Sequence, residues 1–206
     1  MVIVFLKYFK IRQYINTLFS MILPIYAYGQ PVLKKVAGDI NPNYPNLETL
    51  LNNMWDTMYD AHGVGLAAPQ IGLSIRLFVI DSEQIEKEDY PDHIGFKKVF
   101  INAHKVEEVG DKWSYEEGCL SIPNIRGEVM RPPVLKLRYL DENFVEHVEE
   151  FEGINARVIQ HEYDHLDGIL FTDRLSPVKR TLIRNKLENI RRGKTSAEYK
   201  MKFVVK

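Results

Sequence analysis

The chain has a single cysteine among its 206 residues, Cys119, so it can close no internal disulfide and carries no disulfide framework pointing to secretion. It has almost no net charge. Lys and Arg number 27 against 28 Asp and Glu, a formal −1, which argues against nucleic-acid binding by bulk charge. It also lacks a long apolar run. The apolar stretch at residues 1–20 is cut by Lys7, Lys10 and Arg12, so it is too short for a membrane span. No small-residue cleavage site follows it, which argues against a secretory signal. Internal repeats and low-complexity linkers are missing too.

What is present suits a packed domain. Hydrophobic residues make up 45% of the chain, enough for one core, with or without a tail. Residues 1–20 contain three basic and no acidic residues, and a weak amphipathic surface anchor is one reading of them. Met21-Ile22-Leu23-Pro24 would make a sensible beginning. Residues 1–20 are therefore expected to be a disordered extension or the product of an upstream start, with the domain at residues 21–206. The C-terminal stretch is basic: from Arg174 to Lys206 eleven Lys and Arg face two Glu. It reads as a solvated helix face, or as a patch for an acidic partner such as RNA.

Periodicity predicts the elements. Asn46 stands where a cap for a helix from Leu47 to Ala61 belongs, with Leu47, Leu50, Leu51, Met54, Met58 and Tyr59 at helical spacing. Ile75–Ile80 reads as a buried strand, and Asp81–Phe96 as a polar surface loop. Strands are expected at Val99–Ala103, Lys105–Val109, Glu128–Arg131, Val134–Leu140 and Phe144–Phe151. Leu135, Leu137 and Tyr139 alternate with Val134, Lys136, Arg138 and Leu140. A second helix follows Gly153, from Ile154 to Leu166. Ser176-Pro177 opens a third, over about 177–193, with Leu182, Ile183, Leu187 and Ile190 on its packed side. Strands followed by segregated helices give an α+β class.

The second helix carries His161-Glu162-Tyr163-Asp164-His165, an H-E-x-x-H run. Histidines four residues apart on a helix share a face, the spacing that two ligands of one metal ion need. Glu162 can then reach a water on that ion without ligating it. Ile154, Val158, His161 and His165 fall on one apolar face. Two buried core histidines satisfied by hydrogen bonds are the plainer reading, but Glu162 between them favours the metal. A catalytic site needs a third ligand and an open position. Downstream lie only Asp167 and Asp173. Upstream, Cys119 in Glu117-Gly118-Cys119-Leu120-Ser121 would complete a Cys-His-His set. The absence of a second cysteine favours an open site over a closed structural one. Gly63-Val64-Gly65-Leu66-Ala67-Ala68-Pro69-Gln70 permits close backbone approach and ends on an amide donor, yet alone it is weak.

Together the three segments, G-V-G-L-A-A-P-Q, E-G-C-L-S and H-E-Y-D-H, resemble the peptide deformylase family in motif, order and rough spacing, over about Met21 to Arg192. The form with a C-terminal helix is the nearest in pattern. The resemblance implies a deformylase-like α+β fold with antiparallel or mixed sheets around a central metal-binding helix. It implies metal-dependent removal of the formyl group from the initiator methionine of new polypeptides, in the cytoplasm. Cys119, His161 and His165 become metal ligands and Glu162 the general acid/base. Gln70 and the Leu120 N–H become oxyanion donors, and the Gly65 backbone contacts substrate. Val64, Ile154 and Val158 are expected to line the methionine pocket. Arg126 aligns with a position near the substrate, although by itself it reads equally as a solvated strand charge. The implied cofactor is one divalent ion, most often Fe²⁺, with Zn²⁺, Ni²⁺ or Co²⁺ able to use the same ligands. The implied partners are formylmethionyl peptides and nascent chains, with the basic helix suggesting contact with the ribosome. Two departures stand out. Arg157 sits near the pocket where an apolar residue is common, and Asp81–Phe96 is longer than in compact members. The same helix would also suit a metallopeptidase, or a metal-stabilised binding protein without activity.

Overall fold

A computed structural model describes residues 21–86, 90 and 93–204; the expectation for residues 1–20 lies outside them. In chain order the strands and helices are β1 (Ile25–Tyr26), α1 (Leu47–Asp60), β2 (Gly65–Ala67), β3 (Leu77–Asp81), β4 (Lys97–Val109), β5 (Trp113–Cys119), β6 (Ile122–Arg131), β7 (Val134–Leu140), β8 (Glu146–Glu152), α2 (Gly153–Leu166), α3 (Pro177–Arg191) and β9 (Met201–Lys202). A five-stranded antiparallel sheet runs β2-β3-β4-β7-β8. β5 and β6 form a separate antiparallel hairpin, and β1 pairs with β9 in parallel. The α+β class stands.

The main sheet is covered on both faces, which explains the unbroken apolar run of β3. Phe78 and Ile80 point into a core with Ala156, Ile159, Tyr163 and Leu166 of α2. Leu77 and Val79 point the other way, against Leu51, Met54 and Met58 of α1. On β7 the expected alternation holds, with Leu135, Leu137 and Tyr139 buried. A third core joins Ile122, Ile125 and Val129 of the hairpin to Ile183, Leu187 and Ile190 of α3. Helix α2 is thus held from both sides, and ten of its fourteen residues are buried. That is why its histidines sit inside the molecule.

Several local expectations need correction. Asn46 occupies the cap position but adopts a left-handed conformation and makes no side-chain cap bond. The two strands expected across residues 99–109 are one, β4, interrupted by register shifts between Ile101 and His104 and between Lys105 and Glu107. The segment expected as a surface loop begins buried: Asp81 belongs to β3, and the Ser82 hydroxyl donates to Asn155 Oδ1 at 2.7 Å. Leu182 is 72% exposed rather than packed, whereas Ile183, Leu187 and Ile190 are buried. Ser176 does cap α3, its hydroxyl accepting from the Lys179 N–H. No described helix is long and apolar enough to cross a membrane.

Candidate active site

The hairpin and α2 build the site between them. After Gly118 the β5–β6 register shifts so that Cys119 faces Ile122, leaving Leu120 and Ser121 as a two-residue turn. This turn presents the Cys119 thiol to α2. Cys119 Sγ lies 3.4 Å from His165 Nε2. The donor atoms of Cys119, His161 and His165 all lie within 4.8 Å of one another. Two imidazoles and a thiol at that separation suit one soft or borderline divalent ion. Burial alone would raise the Cys119 pKa, but the facing charge of His165 and hydrogen bonds from both imidazoles bring it down to about 5, so a thiolate forms readily.

Glu117 orients the first histidine. Its Oε2 lies 2.9 Å from His161 Nδ1, which directs the other ring nitrogen to the thiol. Arg131 forks onto both oxygens of Glu117 at 2.7 and 2.9 Å and reaches Asp164 at 2.7 Å. Arg174 closes on the same Asp164 with two bonds of 2.5 Å. Burial opposes ionisation of Glu117, yet Arg131 and His161 hold its carboxyl far below the usual range.

Glu162 lies on the cleft side of α2, against Gly65. A Cβ at Gly65 would sit 2.6 Å from Glu162 Oε1, so only glycine leaves room for this carboxylate. Among the described residues, Glu162 Oε2 is buried without a protein partner. Burial pushes the Glu162 pKa up to about 6, with the histidine charges restraining it. Gln70 sits opposite. Its Oε1 accepts the Ala67 N–H at 2.8 Å, which turns its NH₂ toward Cys119 Sγ and Ser121 Oγ, each 3.5 Å away.

These groups open onto a cleft of about 790 Å³. Val64, Gly65, Gln70, Cys119, Leu120, Arg126, Ile154, Val158, His161 and Glu162 all border it. His165 lies behind, 1% exposed. Residues 22–181 match the polypeptide deformylase family model.

The chain belongs to the peptide deformylase family.

It is 55% identical over 189 residues to a peptide deformylase of Christiangramia forsetii, covering 89% of this chain and 96% of that one. It is 54% identical, with the same coverage, to one of Flavobacterium johnsoniae. Among solved structures, a peptide deformylase from Legionella pneumophila superposes with a TM-score of 0.73 at 40% identity, over 84% of this chain and 96% of that one. One from Plasmodium falciparum gives 0.73 at 35%, over 82% and 95%. The chain is therefore an enzyme of the deformylase class.

Of the site residues expected from the sequence, Cys119, His161 and His165 form one cluster, the others border the cleft, and Asp167 and Asp173 are not among its lining residues. Arg157 stands near the pocket as expected. It borders the cleft, but its guanidinium is tied to Glu117, the Val129 and Trp113 carbonyls and the Trp113 ring face. It packs the site from beneath and offers no free charge to a peptide. Glu117 and Asp164 both stand inside the quoted motifs, but nothing local in the sequence reveals their partner Arg131. Tyr199 also lines the cleft, and no motif marks it.

Proposed function

We propose that this enzyme removes the formyl group from the N-terminal formylmethionine of newly made polypeptides by metal-dependent hydrolysis in the cytoplasm, releasing formate. The observation that carries the reading is the donor trio Cys119, His161 and His165 beside a buried carboxylate, Glu162, that has an unpartnered oxygen. The thiolate and two imidazoles are a fitting set for one divalent ion, Fe²⁺ in the cell, with Zn²⁺, Ni²⁺ or Co²⁺ as substitutes. When bound, the ion supplies Lewis acidity, lowering the pKa of a water and polarising the formyl carbonyl.

The protein residues do the rest. Glu162, with its pKa raised to about 6, accepts a proton from the attacking water near neutral pH and passes it to the leaving amine. Gln70 Nε2, oriented by Ala67, and the Leu120 N–H donate to the developing oxyanion. The Gly65 backbone aligns the peptide. Val64, Ile154 and Val158 receive the methionine side chain, and Arg126 stands at the exposed rim of the cleft.

Glu162→Gln provides the test. It should keep the full metal content while hydrolysis of a formyl-Met peptide falls by about 10²–10⁴-fold. Unchanged turnover removes Glu162 from the mechanism. Internal cleavage of an unformylated peptide by the wild type would favour the metallopeptidase reading instead.

A contact with the ribosome through α3 is a second proposal. Val178 and Leu182 are more than 70% exposed, and exposed Lys179, Arg180, Arg184 and Lys186 surround them. An apolar pair ringed by cations suits a surface of protein and RNA.

A further inference from the structure

The chain does not end at α3. Gly193 reverses it at φ +70°, with the Lys194 N–H donating to the Asn189 carbonyl, and the segment from residue 195 runs back to the site. It is tied along its length. The Ile25 and Ala27 N–H groups donate to the Lys200 and Lys202 carbonyls at 2.8 and 3.0 Å, and Gln30 Nε2 donates to the Phe203 carbonyl at 2.7 Å. Asn124 Nδ2 of β6 donates to the Ser196 carbonyl at 2.8 Å. Residues 196–199 thereby become a wall of the catalytic cleft. In that wall the Tyr199 hydroxyl donates to the Leu120 carbonyl at 2.7 Å.

We propose that Tyr199 is a positioning residue for deformylation, fixing the Leu120 peptide so that its N–H points at the oxyanion. The inference rests on the role given to Leu120 under the proposed function. Peptide groups are planar, so only the φ and ψ of Leu120 separate its N–H from its C=O. Holding the carbonyl orients the Leu120–Ser121 plane and so restrains ψ, one of the two angles between them. The next carbonyl, that of Ser121, is held by the Tyr28 N–H at 2.8 Å, so the turn is pinned at successive peptides. Inside the cleft the Leu120 side chain abuts Gly63, where a Cβ would come within 2.8 Å of it. Burial raises the Tyr199 pKa further above its ordinary value, so the hydroxyl remains a donor across the working range. Oxyanion donors act through preorganisation, and small misplacements near a reacting centre cost much rate.

The test is Tyr199→Phe in the full-length, metal-loaded enzyme on a formyl-Met tripeptide. The expected result is a kcat lower by about tenfold, with KM and metal content within about twofold of wild type. Amide exchange at Tyr28, whose N–H is held by the Ser121 carbonyl of the same turn, should quicken while α2 stays protected. A wild-type kcat, or a change confined to KM, overturns the proposal. If Tyr199→Phe folds poorly, Asn124→Asp decides. It removes an exposed tether of the same segment, and should lower kcat by about threefold with faster Tyr28 exchange; unchanged kcat and exchange overturn the proposal. A wild-type enzyme that leaves formyl groups in place would sink the proposed function instead, and the exchange readout would still judge the anchoring.

Discussion

Gly65 and Glu162 show how narrowly single residues define this site. A methyl group at Gly65 would enter the space of the Glu162 carboxylate, 2.6 Å from Oε1 and 2.7 Å from Cγ. Since β2 and α2 are both packed in the core, the carboxylate is the part able to move. Gly65→Ala is therefore expected to keep its fold and metal while losing about 10²-fold in kcat/KM, checked by circular dichroism, metal analysis and a formyl-peptide assay. Equal activity in the variant would mean that Glu162 tolerates a shifted position. At this scale the sequence was most legible where motifs place residues a helical turn apart, as with His161 and His165. It was least legible for Arg131, whose isolated charge on β6 acquires meaning only from Glu117 and Asp164 across space.

The elements are joined at the site by ion pairs rather than by apolar contact. Glu117 on β5, Arg131 on β6 and Asp164 on α2 form one buried chain that ends on the exposed Arg174. Burial raises the Asp164 pKa, but Arg174 and Arg131 outweigh it and set the carboxyl below its ordinary 3.8. A lowered folded-state pKa stabilises the fold above the unfolded value, and that stabilisation is lost as pH falls through the folded one. Asp164→Asn should cost about 3 kcal/mol at pH 7, because it takes the charge from a buried carboxylate that shares Arg131 with Glu117 and also holds the more exposed Arg174. The gap from wild type should narrow below about pH 4. Urea unfolding between pH 7 and 3 checks this, and a gap independent of pH would contradict it. The same polar pattern explains why the hairpin was only partly legible. The inner face of β5 uses Trp113, Tyr115, Glu117 and Cys119, and β6 buries Gly127 and Arg131 with Pro123 near its start. An alternation built from such residues does not read as apolar and polar.

For the whole molecule, α3 serves two surfaces. Its inner side is core, so removing the helix would disturb the fold, whereas its outer side can be altered alone. Arg180→Glu with Arg184→Glu should leave formyl-peptide turnover unchanged and reduce co-sedimentation with ribosomes, most clearly at low salt. Unaltered co-sedimentation would reject the contact. Chain order and residue periodicity by themselves determined the α+β class, the α2 helix with its histidine pair and the three motifs, since helical spacing and strand alternation are local properties. Tertiary structure alone decided how closely Cys119, expected from its motif, approaches those histidines, that the Arg157 charge at the cleft is taken up by Glu117 and backbone carbonyls, that Leu182 faces outward, and that residues 196–199 return to the cleft. Each of these depends on contacts between residues tens of positions apart. No periodicity encodes them, and only the packing of hairpin, helix and tail brings them into reach.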